Sequence, residues 1–328
     1  MDLRAARGRI HPANCPMGEP TRRAHSPPMS IETHLLGRFS QAIEAQVAAA
    51  QGLAVAVRNS SHRHVSATLW QSDVVVTSEQ VVGNRDQYEV VTASGATATA
   101  RIAGRDPGTN LLVLRTDTPL AATTLPRATA RVGSLALALG AEATGASNVR
   151  LGLVSSVGPQ WCSRAGGRIE QRIALDIRLR RTEEGGPVLD AESGLLGMST
   201  LGPPGVVLVI PVATLDRVVP QLLSNGQVPR GWLGLGLQPV AVPEPLRADA
   251  GETTGMMVMS LAEGGPGAVA GVKAGDILLT IDGASMRGLR RVIAQLDDTS
   301  VGRTVALRLI RGGEVLTLNV VITARPRQ

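Results

Sequence analysis

The sequence predicts a mainly β protein, with two six-stranded barrels followed by a smaller β domain that carries two helices. Three observations point there. Between residues 51 and 214, short apolar runs of period two alternate with Gly, Asn, Asp and Pro, without helical interruption. Only 2% of residues are aromatic, so Val, Leu, Ile and Ala must fill the cores, and valine-rich alternation favours strands. A further set of strand-like runs, from 231 to 325, holds two helical patterns and the hairpin turn Gly312-Gly313.

Taken in order, residues 1–30 are rich in Pro, Arg and small polar residues without hydrophobic period, and are predicted to be a disordered tail. Residues 31–50 place Leu35, Leu36, Phe39, Ile43 and Val47 at three- and four-residue steps, an amphipathic helix. Strands are predicted at Leu53 to Arg58, Val65 to Trp70, Val74 to Ser78, Tyr88 to Thr92, Thr97 to Arg105 and Leu111 to Arg115. A second set follows at Leu135 to Leu139, Val149 to Val157, Ile169 to Ile177, Pro187 to Leu189, Leu195 to Thr200 and Val206 to Ile210. Residues 215–230 hold a short helix, stopped by Gly226, and the linker Val228-Pro229-Arg230. The last domain, 231–325, reads as strands at Leu233 to Val240, Met256 to Leu261, Ile277 to Ile281, Val305 to Arg311 and Glu314 to Ile322. Its helices are expected near Gly267 to Ala270 and at Met286 to Leu296.

The formal charge is +6, almost wholly from arginine, since Lys273 is the only lysine. Such a balance raises nucleic-acid or anionic-surface binding, but the arginines are scattered and no basic run is interleaved with aromatics, which argues against it. Cys15 and Cys162 make neither a disulfide framework nor a CxxC metal site, and no cofactor is implied. No run reaches the roughly 18 apolar residues of a membrane span. The N-terminus has no apolar leader core, so the expected location is cytoplasmic, with the periplasm left open. Among the histidines, His11, His25 and His34 are N-terminal. His62 and His64 sit in Ser60-Ser61-His62-Arg63-His64, which reads as an exposed hairpin, since no third metal ligand is near.

The stretch Thr182-Glu183-Glu184-Gly185-Gly186-Pro187-Val188-Leu189-Asp190 stands apart. Two glycines and a proline between apolar runs make a tight turn between strands. Adjacent carboxylates usually point apart, so Glu183 and Glu184 are expected on a solvated turn, with one of them paired to an arginine of the Arg178-Leu179-Arg180-Arg181 run.

The order of motifs over residues 50 to 325 resembles the HtrA/DegP-like family, a trypsin-like double β-barrel followed by one PDZ domain. Arg230-Gly231-Trp232-Leu233-Gly234-Leu235 looks like that family's carboxylate-binding loop. Gly265-Pro266-Gly267-Ala268 and Gly271-Val272-Lys273-Ala274-Gly275-Asp276 look like its later PDZ segments. In the barrels the scaffold letters match and the catalytic ones differ. Val76-Thr77-Ser78-Glu79-Gln80-Val81-Val82 places Gln80 where the family has histidine, and Asp106-Pro107-Gly108-Thr109-Asn110-Leu111 places Asn110 where it has aspartate. Glu184 replaces the serine, and Thr182 the preceding glycine of the oxyanion loop that also includes Glu183 and Gly185.

Acyl transfer of this kind needs a hydroxyl nucleophile, a base, a group that orients the base, and N–H donors for the oxyanion. An amide such as Gln80 has no useful basicity, and Glu184 beside Glu183 would repel an oxyanion. The resemblance therefore implies a pseudoprotease with vestigial positions Gln80, Asn110 and Glu184 and no catalytic or metal site. Its function would lie in the PDZ domain as a peptide-binding adaptor or regulator, with Trp232, Leu233, Gly234, Leu235, Leu237, Leu289 and Ile293 taking C-terminal or hydrophobic peptide segments. An active protease relative is an expected partner, as is a homotrimer. Two alternatives stand beside it: an HtrA-like endopeptidase in protein quality control, and a basic nucleic-acid or anionic-surface binder.

Overall fold

The computed structural model describes residues 31–60 and 63–326. The tail reading for 1–30, with His11, Cys15 and His25, and the reading of His62 lie outside these residues. Helix α1 (Ile31–Ala50) has the predicted bounds, and Leu35, Leu36 and Phe39 on it are exposed.

Strands β1 (Ala54–Ser60), β2 (Arg63–Gln71), β3 (Val74–Ser78), β4 (Tyr88–Val91), β5 (Thr97–Asp106) and β6 (Leu111–Thr116) close the first barrel in the order β1-β2-β3-β6-β5-β4. Its interior is built from alternate residues, among them Val55, Val57, Leu69, Val75, Val90, Leu112 and Leu114. The second barrel comprises β7 (Leu135–Ala141), β8 (Ser147–Gly158), β11 (Arg172–Leu175), β12 (Pro187–Asp190), β13 (Leu195–Leu201) and β14 (Val207–Pro211), closed in the order β11-β14-β13-β12-β7-β8. A two-stranded excursion, β9 (Trp161–Cys162) with β10 (Arg168–Ile169), leaves it between β8 and β11. The strand expected from Ile169 to Ile177 is thus two pieces. They part at Glu170, whose carboxylate leaves the ladder to accept from Arg217 Nε at 2.6 Å and Thr214 Oγ1 at 2.5 Å.

Helix α2 (Val212–Asn225) lays Leu215, Val218, Val219 and Leu222 against Val74, Val76, Leu111, Met198 and Ile210, and so packs on both barrels. It starts three residues before the expected Leu215 and ends at Gly226, where φ is +73° and the N–H reaches the Leu222 carbonyl.

The C-terminal part is a sheet in the order β16 (Leu235–Ala241), β17 (Thr254–Leu261), β18 (Ile277–Ile281), β20 (Thr304–Arg311) and β21 (Glu314–Val321), with β19 (Ala284–Ser285) paired to β18. Its helices are α3 (Arg247–Ala250), which was not expected, α4 (Pro266–Val269) and α5 (Leu289–Gln295). The first strand starts at Leu235, not Leu233, because Gly234 has φ +72°, and β15 (Gly231–Trp232) pairs instead with β22 (Thr323–Ala324). Helix α5 is shorter than the expected Met286 to Leu296, since Met286 is buried and its N–H bonds the Leu279 carbonyl. The Lys273–Asp276 turn is held by buried Asp276, which accepts from the Lys273 N–H at 2.8 Å and from Arg311 at 2.6 and 2.8 Å.

Charged pairs join this part to the barrels. Arg230 of the linker donates from Nη2 to both oxygens of buried Asp106 at 2.7 and 2.9 Å, and Asp106 also accepts from the N–H groups of Gly108 and Thr109. Arg217 of α2 binds Glu170 on one side and Asp298, just beyond α5, on the other.

Candidate functional site

The turn that carries Glu184 is locked by backbone. Gly185 has φ +96°, and its N–H donates to the Ser199 carbonyl while the Ser199 N–H donates to the Gly186 carbonyl. A Cβ on Gly186 would sit 1.9 Å from the Leu139 oxygen, so only glycine lets β12 approach β7 this closely. The Thr182 carbonyl accepts from both the N–H and the hydroxyl of Ser66 at 2.8 Å, which ties the start of the turn to the first barrel.

The structure brings Gln80, Asn110 and Glu184 together. Glu184 is fully buried, and its Oε1 accepts from Ser78 Oγ at 2.7 Å, Thr200 Oγ1 at 2.7 Å and Gln80 Nε2 at 2.5 Å. Asn110 Nδ2 donates to Ser78 Oγ and Thr200 Oγ1, both at 2.8 Å, and its Oδ1 accepts from the Gln80 N–H at 2.9 Å. Asn110 has φ +57°, a conformation asparagine tolerates better than most residues, so its backbone turns the side chain into this cluster. The other Glu184 oxygen, Oε2, is buried without a hydrogen-bond partner. Ser78 and Thr200 were not singled out in the sequence, where two hydroxyls in apolar strands carry no pattern of their own. Ser78 is wholly buried, so a substrate carbonyl has no approach to it without rearrangement.

The expected solvated turn is corrected here: Glu183 and Glu184 are 4% and 0% exposed. The pairing is corrected too. Glu184 takes amide and hydroxyl donors and no arginine. Glu183 pairs with Arg150 of β8, at 2.6 Å to Nη2, and from the 178–181 run it takes the backbone N–H of Arg180, at 2.9 Å, and that residue's more distant charge. Burial by itself pushes the Glu183 carboxyl up, but these hydrogen bonds and the Arg150 charge outweigh it and hold the group below the ordinary carboxylate range. A depressed folded-state value means stability that is present above the ordinary carboxylate pKa and lost as pH falls through the depressed one. Glu183→Gln should therefore lower the melting temperature at pH 7, with the gap to the parent chain closing as the medium is acidified to about pH 2. Melting curves across that range check this, and a gap independent of pH would count against it.

A cleft lies between β16 and α5, a cavity of about 580 Å³ lined by all seven residues expected to contact peptide. They are not equivalent. Leu233 is 2% exposed and belongs to the core of the C-terminal sheet, while Leu235, Leu237, Trp232 and Ile293 are half-buried and Leu289 is exposed. Ile293 also packs over Gly166 of the barrel excursion, where an added Cβ would come within 2.3 Å of it. Sequence reasoning missed the far wall: Arg105, Asp106, Pro107, Gly108 and Ala165 of the barrels line the same cavity. Arg230, placed by the resemblance in the carboxylate loop, is spent on Asp106 and the Gly166 carbonyl. β16 is the edge of its sheet, so one side of its backbone is unpaired by other strands.

Among the described residues no cluster of metal-ligating side chains occurs, and His64 lies 3.8 Å from Glu142. Cys162 is a free thiol whose pKa is pushed up by burial.

Two closed β-barrels with a C-terminal sheet edged by a cavity define a trypsin-like fold joined to a PDZ domain. Residues 65–198 match the trypsin-like peptidase domain family and residues 231–322 the PDZ domain family. Over both domains the chain is similar to HtrA/DegP-like proteins. It is 30% identical over 262 residues to a probable periplasmic serine endoprotease, DegP-like, of Brucella suis, covering 77% of this chain and 50% of that protein. The corresponding protein of Rhizobium meliloti is 28% identical, covering 77% and 51%. The chain therefore spans about half the length of the curated relatives it matches. Among solved structures, the HtrA-type protease AlgW with a decapeptide superposes with a TM-score of 0.66 at 25% identity, covering 86% of this chain and 98% of that one. AlgW with a tripeptide gives 0.65 at 27% identity, covering 87% and 98%. The relatives' names overturn the cytoplasmic expectation: they are called periplasmic. That expectation rested only on the lack of an apolar leader, and an absence of that kind assigns no compartment. No helix among the described residues is long and apolar enough to cross a membrane.

Proposed function

We propose that this chain binds the free carboxyl ends of peptides or proteins in its PDZ groove and does not hydrolyse peptide bonds, acting as an adaptor or regulator within assemblies of its own copies or with an active relative. The observation that carries the non-hydrolytic half is the Glu184 carboxylate, fully buried and accepting from Ser78, Gln80 and Thr200. A nucleophile, a base and a vacant oxyanion site are what acyl transfer would require there. The binding half is supported by the edge strand β16, the cavity beside it and the likeness to AlgW, solved with a decapeptide and with a tripeptide. Backbone N–H groups of Leu233, Gly234 and Leu235 suit a carboxylate, the Gly231 N–H being bonded to the Leu296 carbonyl, and β16 suits an added strand.

A peptide ending in a hydrophobic residue should bind the full chain with micromolar-range affinity, of order 8 kcal/mol, and C-terminal amidation should abolish binding. Isothermal titration with the acid and amide forms decides this, and equal binding of the two would remove the carboxylate from the reading.

The relatives' names favour the endopeptidase of a second reading, which places it in protein quality control. Casein hydrolysis blocked by a serine-directed inhibitor would establish it. Nucleic-acid binding has less support, since Arg105, Arg150, Arg217, Arg230 and Arg311 are all engaged in ion pairs within the chain.

A further inference from the structure

The edge strand of the groove contains a proline, and its position limits what the groove can read. In an antiparallel strand both polar groups of a residue point to the same side, and successive residues alternate. The Gly234 carbonyl accepts from the Ala262 N–H, and the Val242 N–H donates to the Thr253 carbonyl. Even-numbered residues of this stretch therefore turn toward β17, and its register keeps that parity on β16, because the irregularity between Gly236 and Leu237 puts the extra residue, Met259, on β17. Odd-numbered residues, Leu235, Leu237 and Pro239, turn their backbone to the open edge. Pro239 is exposed and has no N–H to offer there.

We infer that Pro239 ends the ladder available to a docked peptide, so that the groove is a reader of the last three residues of a free chain terminus. This rests on the carboxyl-end binding proposed above. With the carboxylate at the Gly231–Leu235 turn, an antiparallel ligand pairs its final residue with Leu235 and the residue two before it with Leu237. The carbonyl of the residue four before the end faces the proline ring and finds no donor. The barrel wall of the cavity favours a terminus as well. Arg105, Pro107, Gly108 and Ala165 of the barrels line it there together with Arg230 and Trp232. Asp106 is neutralised by Arg230, and Arg105 is held by Glu79 and the Gly83 carbonyl, which leaves the exposed Arg325 as the lining charge that complements a carboxylate. The occupant is thus a short hydrophobic C-terminus, and the sequence upstream of it is read weakly.

The test is titration of the full chain with a ten-residue peptide ending in leucine and with its own last four residues. The two should bind within about twofold of each other. Pro239→Ala, a change at an exposed position, restores one donor and should tighten the ten-residue peptide by about fivefold, the effect of one net hydrogen bond, while leaving the four-residue peptide within twofold. A ten-residue peptide that binds the parent chain more than about tenfold tighter than the short one, with Pro239→Ala making no difference, overturns the ladder limit while leaving carboxyl-end binding intact. Failure of both peptides to bind the parent chain and the variant removes the groove reading itself, and the inference with it.

Discussion

Casein is expected to survive incubation with the parent chain and with Glu184→Ser alone. A chain combining Gln80→His, Asn110→Asp, Thr182→Gly and Glu184→Ser should cleave it at least about 10⁴-fold faster than either. The reason is that the catalytic groups of such a site act as a unit. A serine at position 184 would meet Gln80, whose amide takes no proton near neutral pH, and Asn110, whose Oδ1 already accepts from the Gln80 N–H at 2.9 Å. The convergence of these side chains on one point means that the combined variant needs no movement of the elements that carry them. Fluorogenic casein, with and without a serine-directed inhibitor, gives the measurement. Inhibitor-sensitive cleavage by the parent chain would move the protein to the endopeptidase reading, and recovery with Glu184→Ser alone would mean that another base lies within reach.

Gly186→Ala should be the most damaging small substitution in the second barrel. The new methyl group would lie 1.9 Å from the Leu139 oxygen, in a place set by backbone on both sides, so β12 and β7 must separate. Overpacking against backbone of this severity costs about 3 kcal/mol or more, roughly a 10 °C fall in melting temperature for a domain of this size. Gly83→Ala is the control, because an added Cβ there meets nothing within 4 Å. Equal melting temperatures for the two variants would contradict this account of the turn.

The strands were legible because short apolar runs stand between turn residues: Val74–Ser78 in the first barrel and Ile277–Ile281 in the C-terminal sheet begin and end where those runs do. The short pair Trp161–Cys162 and Arg168–Ile169 was not, since two residues hold no period. Gln80, Asn110 and Glu184 could be found because glycine, proline and apolar neighbours pin their registers on both sides. Their surroundings could not. Arg150 and Glu183 are 33 residues apart and Arg217 and Glu170 are 47 apart, and such pairs form only when the closed barrels bring distant strands and helix α2 together. The burial of Glu184 escaped for the same reason: a carboxylate in a glycine turn looks solvated until the hydroxyls and amide that accept the role of water are placed around it. Pro239 was visible from the start, but its meaning depends on which edge of β16 is open.

The cluster around Glu184 also bears on how the molecule comes apart. Ser78, Gln80 and Asn110 belong to the first barrel, and Glu184 and Thr200 to the second, so their hydrogen bonds run across the junction as well as within each half. Helix α2 adds an apolar layer shared by both. Neither barrel can open without exposing a carboxylate and several amides that the other had satisfied. Amide protons in β3 and β13 should therefore exchange with solvent in a single cooperative event at the free energy of global unfolding, and the two barrels should behave as one foldon.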